Sequence, residues 1–187
     1  MTERVYLALV HHPTLDRTGL RVATAITPLD MHDFARLART YSLGGVFIQT
    51  SLESQRALAR RLLGHWVEGW GGDYNPNRKE ALEILKLVNS VEEAVGIIGE
   101  RWGERPLLAA TSARIDGPPR IGYKEAREKL SGRHRPALIL FGTGWGMAPE
   151  ALLSCDFVLE PIGSPEGYNH LSVRSAASIT VDRLFGI

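Results

Sequence analysis

Cys155 is the only cysteine in this chain of 187 residues. One thiol can close no intramolecular disulfide and cannot build a cysteine-cluster zinc site. Charge of one sign is equally scarce. The 22 Lys and Arg stand against 21 Asp and Glu, a net +1, which argues against a protein that wraps nucleic acid by bulk counterion release. No apolar run reaches the ~18–20 residues that a membrane helix needs. The motifs G-x-x-x-x-G-K-[S/T], G-x-S-x-G and H-E-x-x-H do not occur, so a P-loop, a nucleophile elbow and a zincin site lack their residues. No metal site is expected. The opening residues, MTERVYLALV, pass straight into a strand-like run, read here as having no cleavable leader, and the expected compartment is a reducing cytoplasm. Hydrophobic residues make up 44% and charged residues 23%, enough for one domain with its own core over residues 1–187.

Along the chain, strand and helix patterns alternate. Val5–Val10 reads as a buried strand, and residues 11–28 read as a long loop. A helix is expected from Asp30, as its cap, to about Tyr41, with Phe34, Leu37, Ala38 and Tyr41 on one face. Strands are expected at Val46–Gln49, Lys86–Asn89, Leu107–Thr111, Ala137–Phe141 and Phe157–Leu159. Helices are expected over 52–67, with Leu58, Leu62 and Leu63 inward, and over 78–85, with 69–77 a loop between them. Further helices are expected from Ser90, where Glu93 completes a capping box, and over 124–130, 148–153 and 172–185. This alternation predicts an α/β fold, a mostly parallel sheet with helices on both faces.

The net charge hides a pattern. Residues 105–135 carry eight basic residues against three acidic, and residues 136–187 carry two against five. The basic band has two readings: an anion-binding face, or solvated helix surface with pairs such as Glu125–Lys129. Of the basic residues 18 are Arg and 4 are Lys. That bias suits bidentate phosphate contact but equally reflects codon composition.

In open parallel sheets, ligands bind beyond the carboxyl ends of strands. Three loops after strands hold unusual chemistry: Thr111–Arg114 (TSAR), Gly142–Met147 (GTGWGM) and Pro161–Leu171 (PIGSPEGYNHL). Glycines there let backbone approach a ligand closely, and free N–H and C=O groups can satisfy its polar atoms. The middle loop suggests a dinucleotide fingerprint, with Glu160 placed 18 residues after Gly142. But Met147 stands where the third glycine belongs, and only 41 residues follow Gly146, too few for the rest of a dinucleotide-binding domain.

Taken together, the three loops resemble the SPOUT class of S-adenosylmethionine-dependent RNA methyltransferases, and the resemblance covers most of the chain. Asp30–Val46, DMHDFARLARTYSLGGV, is similar to the first motif of the ribose-methylating branch, which has an Asn, an Arg six residues on, an Ala two further and then aromatic-Gly. Those positions are Asp30, Arg36, Ala38, Tyr41 and Ser42 here. Ala137–Met147, ALILFGTGWGM, resembles the second motif, a strand and a Gly-rich loop. Pro161–Ile179, PIGSPEGYNHLSVRSAASI, resembles the third, whose Leu-Asn-Val-Ser-Val-x-x-Ala ending corresponds to residues 169–176. The chain departs from that branch in three places: Thr143 replaces a usual Glu, His170 an Asn and Asp30 an Asn. The departures point to a small divergent group without an appended RNA-binding domain.

The resemblance implies a C-terminal trefoil knot, S-adenosylmethionine as cofactor, an RNA substrate (tRNA or rRNA) and a homodimer. It implies a cofactor site made from Thr111, Gly142, Thr143, Gly144, Ile162, Gly163, Asn169, Leu171 and Ser172. Backbone amides would face adenine, Ile162 and Leu171 would form an apolar wall, and Thr143 and Ser172 would supply polar groups. Arg36 is the expected catalytic residue. An arginine rarely deprotonates, so it would orient a phosphate or stabilise developing negative charge; its plain alternative is a surface arginine. Asp30 reads as a base or orienter, or simply as a helix cap. His170 reads as a proton acceptor, or as a buried hydrogen-bonded histidine. Arg114 and Arg120 are the expected RNA phosphate contacts. Trp66, Trp70 and Tyr74, near His65 and Arg78, read either as base-stacking residues or as core. Trp145 reads as a pocket wall or an interface residue. His11 and His12 are adjacent at a strand end, where side chains diverge, and read as a poor chelating pair. Two other functions remain open: a non-catalytic RNA-binding module of the same fold, and an oxidoreductase using a nucleotide cofactor on the Gly-rich loop.

Overall fold

A computed structural model describes residues 2–113, 118–130, 135–163 and 168–186. Seven strands form one all-parallel sheet: β1 (Val5–Val10), β4 (Gly45–Gln49), β5 (Leu85–Val88), β6 (Leu107–Ala110), β7 (Arg120–Ile121), β8 (Ala137–Gly142) and β9 (Phe157–Leu159), in the order β5-β4-β1-β8-β6-β9-β7. Every residue of β1 and β4 is buried, as expected of parallel strands covered on both faces. Val5, Leu7 and Leu9 point into one core with Ile139 and Phe141, while Tyr6, Ala8 and Val10 point into the other with Leu138 and Leu140.

The first core is covered by α1 (Pro28–Thr40), α2 (Glu53–Val67), α4 (Pro76–Leu82), α6 (Tyr123–Leu130) and α8 (Val173–Phe185). The second is covered by α5 (Val91–Trp102) and α7 (Pro149–Leu153). Phe34 of α1 meets Phe141 of β8 edge-on, with ring centroids 5.5 Å apart, a favoured aromatic geometry.

The strand order positions the site. From β1 the chain builds outward through β4 and β5, then crosses to the other side, and β8 finally occupies the place between β1 and β6. The glycine loop after β8 therefore opens at the centre of the sheet, where the direction of winding reverses. In open α/β sheets that crevice is where ligands bind.

Several local expectations are corrected. Thr27, not Asp30, caps α1: its hydroxyl oxygen accepts from the Asp30 amide at 3.2 Å and donates to the Asp30 carboxylate at 2.7 Å. Pro28 takes the first helical position, where its missing N–H costs nothing. Leu58 faces outward at 44% exposure and Ala59 takes the buried place. Residues 69–77 are not all loop. They contain the short helix α3 (Trp70–Tyr74), after which Asn75 accepts from the Arg78 amide and caps α4. The long loop 11–28 contains an antiparallel ribbon, β2 (Thr14–Leu15) with β3 (Arg21–Val22). Its turn closes because Asp16 Oδ1 accepts from the amides of Thr18 and Leu20, an Asx-turn arrangement.

Candidate cofactor and transfer site

The middle loop, 142–147, folds back on itself at the end of β8. A Cβ on Gly142 would lie 2.7 Å from Met147 Cγ and 2.8 Å from the Met147 amide nitrogen, so no side chain fits. Gly144 has φ +60°, where an L side chain is strained. The β2–β3 ribbon braces this loop: the Leu15 amide donates to Gly146 O at 2.9 Å, and the Trp145 amide donates to Leu15 O at 3.1 Å.

The hydroxyls of the candidate cofactor residues are committed to the protein. Thr111 Oγ1 donates to Leu140 O at 3.1 Å and Thr143 Oγ1 donates to Val10 O at 3.0 Å. Ser172 Oγ accepts from the Ser175 amide as the cap of α8. The backbone is less committed: the amides of Gly144, Ile162 and Leu171 have no partner among the described residues. Ile162 is half-buried, and Leu171 is 46% exposed.

The three loops are joined to one another. Asn169 Nδ2 donates to Ala113 O at 3.4 Å, and Asn169 Oδ1 lies 3.2 Å from where a Gly163 Cβ would stand. Arg120 donates through Nη1 to Leu159 O at 3.1 Å and to Ser112 O at 3.4 Å; this side chain therefore ties the first loop to the end of β9. His170 is exposed, with its ring between Trp145 (centroids 6.4 Å apart) and Tyr168 (5.0 Å). It is thus not a buried histidine, and it has no hydrogen-bond partner among the described residues. Trp145 and Tyr168 are 52% and 85% exposed, so an exposed aromatic rim spans the second and third loops.

Arg36 and Asp30 belong to a second cluster, where α1 passes α8. An open groove of about 630 Å³ between these helices is lined by Asp33, Arg36 and Thr40 from one side and by Ser172, Arg174 and Ser175 from the other. Arg36 is exposed and makes no ion pair among the described residues. Arg174 bridges Asp30 at 3.3 Å and Asp33 at 3.1 Å. Ser172 belongs to both clusters, because it ends the third loop and lines the groove beside Arg36.

The basic band does not form one face. Arg105 and Arg135 lie at the amino ends of β6 and β8, away from the three loops, and Arg105 sits 3.9 Å from Asp156. Arg127 donates to the last carbonyls of α8, Arg183 O and Gly186 O. Lys129 pairs with Glu125 at 3.4 Å. Arg114 lies outside the described residues. Trp66 is packed against the core with the Arg78 guanidinium 4.6 Å over its ring, whereas Trp70 and Tyr74 stack on each other in solvent, centroids 5.1 Å apart. Cys155 is half-buried, and burial next to Asp156 pushes its thiol up to about 12, which leaves almost no reactive thiolate at neutral pH.

The sequence alone gives His11 no role beyond that of a poor chelating pair and does not mark Thr24. His11 is fully buried, and burial lowers its imidazole to about 4 against the opposing pull of the Asp30 carboxylate. Its Nδ1 lies 2.9 Å from Thr24 Oγ1, which hydrogen-bonds Thr143 Oγ1. No local signal marks this chain, since Thr24 and Thr143 are 119 positions apart.

The profile of the SAM-dependent RNA methyltransferase family matches residues 4–186. The chain belongs to that family. Family members use S-adenosylmethionine as cofactor, not a nicotinamide. A protein of Aquifex aeolicus with no assigned function is 37% identical over 99% of this chain and 90% of its own length. A tRNA (guanine-N(1)-)-methyltransferase of Oleidesulfovibrio alaskensis is 48% identical over 97% of this chain, but this chain spans only 42% of that protein. Among solved structures, a probable methylase family protein from Haemophilus influenzae superposes with a TM-score of 0.65 at 21% identity, over 98% of this chain and 66% of its own. TrmJ from Z. mobilis superposes with a TM-score of 0.62 at 16% identity, over 95% and 67%. A TrmH/SpoU tRNA modifying enzyme of A. aeolicus does so at 0.58 and 10%, over 97% and 74%. The fold of this family member is thus that of the SpoU/TrmH methyltransferases, the SPOUT class. Among its described residues no group of His, Cys, Asp or Glu could hold a metal ion, and no helix is long and apolar enough to cross a membrane.

Proposed function

We propose that this chain transfers the methyl group of S-adenosylmethionine to RNA in the cytoplasm, and that it works as a homodimer. The observation that carries the reading is the meeting of three loops at the carboxyl ends of β6, β8 and β9, with close-packed glycines and with amides at Gly144, Ile162 and Leu171 that have no partner among the described residues. Such a site suits a nucleoside held by backbone groups. The residues fit this cofactor, which supplies an electrophilic methyl group on a sulfonium. Gly142, Gly144 and Gly163 let the loops pack closely on Met147, Leu15 and Asn169, Ile162 and Leu171 give apolar contact, and Thr111, Thr143, Asn169 and Ser172 hold the loops in place. The C-terminal segment from the third loop into α8 is threaded as a trefoil knot in this reading.

Arg36 orients an RNA phosphate or stabilises the negative charge developing on the acceptor. Its support is an exposed guanidinium that makes no ion pair among the described residues and shares a groove with Ser172. His170, on the exposed rim and without a hydrogen-bond partner among the described residues, takes the proton of the acceptor group. Asp30 is the weaker base, because Thr27 and Arg174 already occupy its carboxylate, and it serves to orient Arg174. Arg114 contacts an RNA phosphate in this reading, whereas Arg120, bonded to Leu159 O and Ser112 O, holds the first loop in place. The open α1/α8 groove supports dimerisation, with a second copy completing the acceptor site across it.

The name of the Oleidesulfovibrio relative makes tRNA the first RNA to test. The guanine N1 in that name describes a protein more than twice as long, so a base nitrogen and a ribose oxygen are both acceptors to be distinguished. The test is calorimetric titration with S-adenosylmethionine, followed by methyl incorporation into bulk tRNA and rRNA and nucleoside analysis of the product. Absence of binding at millimolar cofactor would sink the reading. Binding without transfer to any RNA would favour a non-catalytic RNA-binding module.

A further inference from the structure

The hydroxyl chain behind the glycine loop has only one possible direction. Thr143 Oγ1 lies 3.0 Å from Val10 O. A carbonyl has no proton to give, so Thr143 donates its single hydroxyl proton there. In the contact between Thr24 Oγ1 and Thr143 Oγ1, Thr143 must therefore accept, and Thr24 donates. Thr24 has then spent its own proton, so in the 2.9 Å contact with His11 Nδ1 it must accept. The proton of the imidazole is on Nδ1.

We infer that His11 is a positioning residue of the cofactor site, held as the Nδ1–H tautomer, and that it fixes the glycine loop through a one-way hydrogen-bond chain from His11 to Thr24 to Thr143 to Val10. The inference rests on the reading that this loop holds S-adenosylmethionine. The remaining ring nitrogen agrees with it. Nε2 is buried and has no partner among the described residues, as fits a bare lone pair. Burial also keeps the ring neutral against the opposing pull of Asp30, and Asp30 is itself engaged by Arg174. The backbone of His11 is anchored on both sides: its amide donates to Gln49 O at 2.9 Å, and its carbonyl accepts from the Thr24 amide at 2.9 Å. His11 thus links the end of β1 to β4 through its backbone amide, and its imidazole links the segment after the ribbon, through Thr24, to the loop after β8. Thr143 is held twice at Val10 O, by its amide at 3.2 Å and by its hydroxyl. Fixing Thr143 sets the direction of the next amide, Gly144, which has no partner among the described residues.

Two readouts test this. The long-range ¹⁵N imidazole spectrum of the protein should show His11 with a protonated Nδ1 and a bare Nε2; a protonated Nε2 overturns the inference. In calorimetry with S-adenosylmethionine, His11→Phe keeps a ring but removes the donor, and should weaken binding about tenfold, one net hydrogen bond. Thr24→Val should do the same, and the double variant should be no weaker than either single one, as for members of one chain. His11→Asn, whose amide can replace the Nδ1–H donor, should restore affinity. Additive losses, or unchanged affinity in both single variants, overturn the inference. If His11→Phe fails to fold, Thr24→Val carries the binding test. A wild-type protein that binds no S-adenosylmethionine would defeat the cofactor reading, while the tautomer would still decide the direction of the chain.

Discussion

Arg36 and His11 have opposite environments, and their tests differ accordingly. Arg36 is exposed, without an ion pair among the described residues and at the edge of a groove, so its removal should leave the fold intact. Arg36→Ala is expected to lower the rate of methyl transfer by about 10²–10³, the range for losing one donor that stabilises transition-state charge. Cofactor affinity should be unchanged, and single-turnover kinetics beside calorimetry would check both. His11 acts on stability through its proton. The unfolded chain binds that proton near pH 6.5, whereas the native imidazole stays neutral down to about 4. Its contribution is therefore complete above about pH 6.5 and is lost as pH falls toward 4, by up to roughly 3 kcal/mol. Urea melts from pH 7 to pH 4 should show this slope, and it should flatten in His11→Asn.

At the scale of elements, the site depends on how loops enter and leave strands and helices. A methyl group at position 142 would meet the Met147 backbone amide as well as its side chain, and backbone cannot step aside cheaply. Gly142→Ala is expected to displace the loop, to cost about 1–3 kcal/mol of stability and to abolish cofactor binding, as thermal melts and titration would show. Ser172 caps α8 and closes the third loop. Ser172→Ala should cost about 1 kcal/mol, while Ser172→Asp, which keeps a capping oxygen, should retain most of the stability. Much at this scale was legible in the sequence. The apolar run of β1, the Ser90 cap of α5 and the periodic face of α1 are local patterns, and the structure keeps them; Glu93 accepts from the Asn89 amide rather than closing the box on Ser90. The ribbon β2–β3 was not legible, because two-residue strands have no periodicity. Asp30 was mistaken for a cap because it starts the apolar pattern, whereas Thr27 and Pro28 stand just before it and set the turn.

For the whole molecule, the near-neutral charge conceals a basic band that folding divides between the two ends of the sheet. Arg105 and Arg135 are taken up at the amino ends and Arg127 at the end of α8, so the band does not by itself make an RNA-binding face. A second copy across the α1/α8 groove would enlarge the surface around Arg36. Sedimentation at micromolar concentration should therefore give a dimer, and charge reversal at Arg174, which lines that groove, should shift it toward monomer. A monomer in the wild type would count against the dimeric acceptor site.

The sequence by itself determined the α/β class, the parallel sheet, the three loops that follow its strands and the family they resemble. Each of these is written in local spacing: a strand, then glycine or hydroxyl residues, then a helix cap. Only the tertiary structure decided which loops meet. The placement of β8 between β1 and β6 put residue 143 beside residues 10 and 24, joined the loops through Arg120 and Asn169, and set Arg36 in a groove with Ser172. It also turned His11 from one of two adjacent histidines into the buried start of a hydrogen-bond chain. Contacts across more than a hundred residues depend on strand order, and strand order is settled by the burial of both sheet faces rather than by any pattern near the residues themselves.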